Sequence, residues 1–389
     1  MNIVEVNSRR EAKQFHDVGR VIYRNDNTWV CPLDKEIESI FNPTGNIFFQ
    51  HGEATRWILF DDQKKLAGRI AAFIDHKSSL QHDQPTGGIG FFESVNNIKA
   101  SNRLFDTAKS WLTERGMKAM DGPINFGEPD KYWGLLVNGF THPSYEITYN
   151  HKYYSELFEA YGFKTYFKQE GFHLDIKKEM PERFRKIAEW ITRKPEYEYR
   201  HFKWKESDRF VDDFAAVYNE AWASFKENFE PMDTAYIKKT LKKAKAIIDE
   251  EFIWFAYFEG KPIALYIMFP DLNQILKHLN GKLNPLSMIK FLYLKKRKTM
   301  TRAKGLLMGV IPKYQGMGIE SAFILHIKKV FDRKPHYQEI EFSWVADFNP
   351  KMRKIFISVG SVPAKNYITY RYLFDRTKEF VRYPIPDMK

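Results

Sequence analysis

The stretch GLLMGVIPKYQGMGIESAFILHIKKVF, Gly305 to Phe331, carries the strongest chemical signal in this chain of 389 residues. An apolar run ends near Pro312, glycines follow at 316 and 318, and a helical apolar period resumes at Ile319. The pattern reads strand, glycine loop, helix. The first amides of a helix have no intrahelical partner, and the helix dipole is positive there. Glycines just before such an end let an anion approach the main chain, which suits the gripping of a pyrophosphate. Glu320 stands in the first turn, where a carboxylate complements its own helix dipole but would repel any phosphate it faced.

Acid–base candidates come from the segment QEIEFSWVADFN. With a two-residue period Glu339, Glu341, Ser343 and Val345 share one strand face, and Ile340, Phe342 and Trp344 share the other. A polar face turned to a cleft could take a proton from a substrate, so Glu341 and Ser343 are candidate catalytic residues. Tyr367, with Tyr370 and Tyr372 in the last strand, is a candidate proton donor. The long Gly- and aromatic-rich connection Gly122 to Phe140 supplies Asn125, Asp130, Tyr132 and Trp133 as candidate cleft residues. The histidines are scattered without metal-ligand spacing, and no nucleophile elbow or Walker loop is present.

The elements that must position these residues repeat. Each half reads helix, antiparallel hairpin, strand, helix, strand, helix and final strands. LFEAYGFKTYFKQEGFHLDI and IFISVGSVPAKNYITYRYLF follow one plan at corresponding places. The expectation is an α/β (mixed α+β) protein of two tandem units, residues 1–178 and 195–389, each a mixed, mostly antiparallel sheet flanked by helices. In the first unit SVNNIKAS joins strand to helix without glycine, so that unit is expected to lack an anion loop and to shape a shared cleft.

Pro312, Tyr314, Gln315, Gly316, Gly318 and Ile319 resemble motif A of the GCN5-related N-acetyltransferases, and Asn349 before KMRKIFISVG resembles the Asn that opens motif B. The resemblance implies acyl-CoA, acetyl-CoA above all, held by Val310, Ile311, Gln315, Gly316, Met317, Gly318, Ile319, Glu320 and Asn349. It also implies acyl transfer to an amine of a small molecule or peptide. Two positions depart from the family: Glu320 replaces a small loop residue, and Phe356 and Phe158 stand where many members carry a Tyr acid. A non-catalytic binder of acyl-CoA or another anion is therefore the rival reading. The tandem plan is also similar to that of the N-myristoyltransferases and the Fem-type aminoacyl-tRNA-dependent transferases, which keeps tRNA open as a partner although other nucleic acid is disfavoured.

Bulk composition agrees with a globular enzyme or binder. Hydrophobic residues make up 43% of the chain, enough for two cores and too many for disorder. The single Cys31 excludes internal disulfides and thiolate metal sites and suggests a reducing, cytoplasmic setting. A net charge of +12 favours anionic partners. No stretch is long and apolar enough for a membrane span. The insertion at 270–298 places Leu283, Leu286, Ile289, Leu292 and Tyr293 near one helical face ahead of LKKRKTMTRAK, which fits a lid, a helix packed between the units, or a contact with a membrane surface. The basic run itself is expected to be a solvated helix end and loop.

Overall fold

The computed structural model describes residues 1–80, 84–128, 131–223 and 231–385. The first half runs β1 (Asn2–Glu5), α1 (Arg9–Ile22), α2 (Asp34–Ile40), β2 (Gly52–Phe60), β3 (Leu66–Asp75) and β4 (Thr86–Ser94). It continues with α3 (Ile98–Glu114), β5 (Ala119–Gly122), β6 (Leu135–Asn138), α4 (Tyr154–Tyr161) and β7 (Lys164–Asp175). A linking helix α5 (Glu182–Thr192) leads to β8 (Tyr197–His201), α6 (Ser207–Trp222), α7 (Thr234–Ala244), β9 (Ile253–Phe258) and β10 (Lys261–Pro270). The insertion forms α8 (Asn273–Leu276) and α9 (Pro285–Lys296). Then come β11 (Arg302–Val310), α10 (Ile319–Arg333), β12 (Glu339–Ala346), α11 (Pro350–Ser358) and β13 (Val362–Leu373).

Local chemistry accounts for many of the boundaries. Ser8 and Glu11 form a reciprocal capping box at α1, and Asn97, Asp233, Asn284 and Asn349 cap α3, α7, α9 and α11. Gly162 closes α4 in the left-handed region at φ 106°. Glu259 and Gly260, both at positive φ, turn the β9–β10 hairpin, as the sequence indicated.

All strands belong to one mixed sheet with the order β1-β2-β3-β4-β5-β13-β7-β12-β11-β10-β9-β8, and β6 pairs beside β13. The order is a palindrome about the antiparallel β13–β7 pair. In each half the first four strands of the series are antiparallel, and a helix then crosses to a parallel neighbour, giving β4 with β5 and β11 with β12. The third and fourth strands of both halves carry a register irregularity, between Arg69 and Ala71 and between Ile267 and Met268. The final strands are exchanged: β7, from the first half, pairs β12, and β13, from the second, pairs β5. Separate cores lie on the two halves. Trp57, Ile70, Leu104, Phe105 and Phe158 mark one, and Ile263, Met268, Phe323, Ile327 and Phe342 mark the other.

Several sequence expectations change. KTYFKQ and GFHLDI are one continuous strand, β7, because Gln169 to Gly171 stay paired with β13 on one side while β12 follows on the other. The basic run divides: Lys295 and Lys296 end α9, whereas Arg302 and Lys304 are buried in β11. The register irregularity between Phe342 and Val345 breaks the alternation of β12, so Val345 joins Ile340 and Phe342 in the core instead of sharing a face with Glu341.

Because each half lends its last strand to the other, fragments 1–194 and 195–389 should each lack a cooperative unfolding transition. Mixed or co-expressed, they should recover one. Circular dichroism melting of the separate and combined fragments checks this.

Candidate active site

The parallel ladder of β11 and β12 runs from Arg302–Glu339 to Gly305–Phe342 and stops there. Beyond it β11 continues to Val310 and β12 to Ala346 without a shared ladder, so the strands part into a cleft. At the parting point Ser343 Oγ donates to the Gly305 carbonyl at 2.9 Å. Since the two strands are parallel, α10 and α11, which follow them, both begin at the same end of this strand pair. The glycine loop thus follows directly on the end of β11 that has parted from β12.

Within the loop, Val310 and Ile311 are buried anchors, and Gln315 Nε2 donates to the Val310 carbonyl at 3.1 Å. Gly316 and Gly318 adopt φ of 76° and 89°, a region costly to other residues. A Cβ at Gly316 would meet nothing, whereas one at Gly318 would lie 2.5 Å from Ile187 Cγ2 of α5. Gly318 offers no side-chain cap, so the first amides of α10 lack the partner that Asn349 supplies to Met352 N in α11. Met317 is exposed and receives a contact from the Tyr197 hydroxyl, while Ile319 is fully buried. Glu320 is turned inward and buried, with the Tyr199 phenol as its charged-state neighbour. Burial pushes its carboxyl up.

Glu341 lies at the centre of a buried ionic cluster. Arg302 Nη1 reaches its Oε2 at 2.9 Å and Lys365 Nζ reaches its Oε1 at 2.6 Å, while Ser144 Oγ donates at 3.2 Å. Burial alone would raise the Glu341 carboxyl, but the Lys365 and Arg302 charges outweigh it and hold the group below its ordinary value. Arg302 also clamps the fully buried Asp271, with Nε at 2.8 Å and Nη2 at 2.6 Å. The first half supplies the rest of the shell. Arg302 donates to the carbonyls of His142 and Pro143, and Lys304 Nζ to that of Tyr145 at 2.6 Å. Burial and the Arg302 charge lower His142 to about 4, so it is a neutral ring at physiological pH. Tyr367 is buried on β13 near Glu341, and burial followed by that negative charge keeps its phenol protonated.

The first half holds a cavity of about 90 Å³ where its own parallel pair, β4 and β5, parts beyond Gly88 and Asp121. Aromatic and aliphatic walls from Trp29, Phe91 and Leu276 surround Glu36, Glu93 and Tyr132. Glu93 is saturated, accepting from Tyr23 and Tyr154 hydroxyls at 2.7 Å each and facing Arg69 at 3.4 Å. Glu36 is not: Tyr145 donates to Oε1, but buried Oε2 has no partner among the described residues. Burial raises its carboxyl to about 7.

The other cleft candidates separate. Tyr132 lines the cavity, Trp133 packs with Phe348 and Trp344 on the aromatic cluster at the end of β12, and Asn125 is buried with Oδ1 unpartnered among the described residues. Asp130 lies outside the described residues. Glu36, Glu93, Arg69, Arg302 and Lys365 were missed in the sequence. For Arg69 and Glu93 the signal was there, a lone charge within the apolar runs of β3 and β4.

Two measurements separate structure from catalysis. Lys365→Met leaves Glu341 buried with one cation fewer and should cost about 3 kcal/mol or more in denaturant unfolding, with Glu341→Leu/Lys365→Met recovering much of it. Glu36 has its ordinary value near 4.5 in an open chain and about 7 in the fold. Its contribution to stability is therefore full below about 4.5 and lost as pH rises through about 7. Glu36→Gln should be stabilising by about 1–2 kcal/mol at pH 8 and flatten the pH profile of the unfolding midpoint between those values.

The chain is 26% identical over 382 residues to a bacterial ceramide synthase of Caulobacter vibrioides, covering 95% of this chain and 97% of that protein. It is 24% identical over 385 residues to protein YghO of Escherichia coli, covering 93% of each. No family sequence profile matches. Among solved structures, a tandem GNAT protein from the clavulanic acid biosynthesis pathway superposes with a TM-score of 0.56 at 9% identity, covering 97% of this chain and 99% of that one. A GCN5-related N-acetyltransferase from Sphaerobacter thermophilus superposes with a TM-score of 0.51 at 10% identity over 96% of both. The palindromic sheet, the parted parallel strands and these superpositions give the same answer: the chain has the fold of the GCN5-related N-acetyltransferases, in tandem.

Proposed function

We propose that this protein is an acyl-CoA-dependent N-acyltransferase whose acceptor is the amine of a long-chain amino alcohol. The observation that carries the acyl-CoA half is the opening of β11 from β12 past Gly305 and Phe342, directly ahead of a glycine loop and an uncapped helix start. The amides at 316–319 would hold the pyrophosphate, and the unpaired edge of β11 would take the amide-bearing arm as it would take another strand. The bound thioester supplies the acyl group. Open space around Gly316 supports the fit.

The acceptor half rests on the similarity to a ceramide synthase along nearly the whole chain and on the first-half cavity. Arg69 faces Glu93 in this cavity, whereas Glu36 Oε2 is left without a hydrogen-bond partner among the described residues, and a primary ammonium would supply one. Glu36 then orients the amine, and Tyr132 and Tyr145 supply hydroxyls for neighbouring polar groups. In the transfer a C–N bond forms, the C–S bond breaks, and the amine proton leaves while the sulfur departs as thiol. Ser343, at the parting of the strands, and Tyr367, held protonated, are the residues assigned to proton movement. Glu341 is assigned to charge pairing.

Purified protein given acyl-CoAs from acetyl to palmitoyl, with sphinganine or with spermidine as acceptor, tests this by free-thiol release and mass spectrometry. Expected are an amide of sphinganine, a fall of at least tenfold in kcat for Ser343→Ala, and a raised KM for the amine in Glu36→Gln. Transfer to spermidine alone would remove the long-chain acceptor. Acyl-CoA binding without thiol release from any amine would instead support the non-catalytic reading, which the Phe at 356 and 158 favours.

A further inference from the structure

The insertion helix α9 carries large apolar side chains on more than one side, yet only one side of it is covered. Phe291 is buried at 6% exposure, and Leu283 and Leu294 pack beside it on the second-half core. On the outward side Leu286 is 78% exposed, Ile289 65%, Tyr293 56% and Leu292 55%. Leu286, Ile289 and Tyr293 recur at i, i+3 and i+7, so they form one ridge opposite Phe291. A water-facing helix normally carries polar residues there. A ridge of large side chains this exposed on a single helix marks a contact surface.

The charges around the ridge identify the contact. From Leu272 to Met300 the chain has seven cations, Lys277, Lys282, Lys290, Lys295, Lys296, Arg297 and Lys298, and no Asp or Glu. Lys290 and Lys295 tie the helix down by donating to the carbonyls of His278 and Ala246. Lys296 and Arg297 remain exposed beside the ridge. Asp249, Glu250 and Glu251 share a pocket with Lys295 and Lys298, and Asp249 and Glu251 are already paired to Lys334; apolar side chains between long basic ones, on a segment that itself carries no carboxylate, match the boundary between acyl chains and anionic headgroups. No helix among the described residues is long and apolar enough to cross a membrane, so the contact is with the surface. We infer that α9 docks the protein on an anionic lipid bilayer, with Leu286, Ile289, Leu292 and Tyr293 in the acyl-chain boundary. This does not rest on the proposed acyl transfer.

Co-sedimentation of the full chain with vesicles of phosphatidylcholine, with and without 30 mol% phosphatidylglycerol as a probe of about physiological charge, tests it. Binding should need the anionic lipid, weaken at least tenfold as salt rises from low to physiological, and fall at least tenfold in Leu286→Ser/Ile289→Ser/Leu292→Ser. Melting by circular dichroism should be unchanged in that variant, since the altered side chains face outward. A second reading localises the contact: Cys31 is buried, so Leu286→Cys or Lys13→Cys accepts an environment-sensitive dye at one known place. Blue-shifted emission on vesicles from position 286 and not 13 is expected. No binding to anionic vesicles, or binding that the triple variant leaves intact, overturns the inference. So does a lipid-independent dimer, seen by sedimentation, that the triple variant dissolves.

Discussion

The chain Asp271–Arg302–Glu341–Lys365 is the contact on which the placement of everything else depends. Its two carboxylates and two cations are buried almost completely, where desolvation costs several kcal/mol per ion unless geometry and hydrogen bonds offset it. Offset comes from complete engagement: Arg302 meets both carboxylates, and the carbonyls of His142 and Pro143 take its remaining hydrogens. The charges come from the second half, and the carbonyl shell from a loop of the first. That arrangement fixes the loop, and with it Tyr145 and the carboxyl of Glu36 that Tyr145 bonds. The first-half cavity and the second-half cleft are thereby held in one frame.

The palindromic sheet makes two openings from one design and then treats them differently. Beyond Gly305 the second-half opening leads into a glycine loop; beyond Gly88 the first-half opening is lined by aromatic rings and acids. The short Ser94-to-Ile98 connection leaves no length for an anion loop in the first half. What remains there is a pocket lined by three carboxyls, Glu36, Glu93 and Glu146, and the Arg69 guanidinium.

Much of the fold was legible because hydrophobic period, glycines and caps are local signals. The hairpin at Glu259–Gly260, the helix end at Gly162 and the loop at 315–318 were each written within a few residues. The exchange of β7 and β13 was not, since the pairing of strands from distant segments leaves no local trace in either strand. The candidate site was half readable. Gln315, Gly316 and Gly318 announce themselves by spacing, but the setting of Glu341 depends on Lys365 and Arg302, which approach only through tertiary pairing. Glu36 sits in the ordinary surface-like segment DKEIESI, and its burial depends on Tyr145 arriving from a loop more than a hundred residues away.

The exchanged strands also set the order in which a nascent chain can mature. When β5 leaves the ribosome its partner β13 has not been made, and about 250 residues separate them. At typical synthesis rates the edge of β5 waits on the order of ten to fifty seconds, and β7 waits for β12 for most of that time. During vectorial synthesis the first half therefore exists as an open sheet, with Met120 and Phe167 among the apolar side chains whose final neighbours are still missing. Productive maturation then depends on how long such an edge can be shielded, and slowing translation late in the message lengthens that exposure.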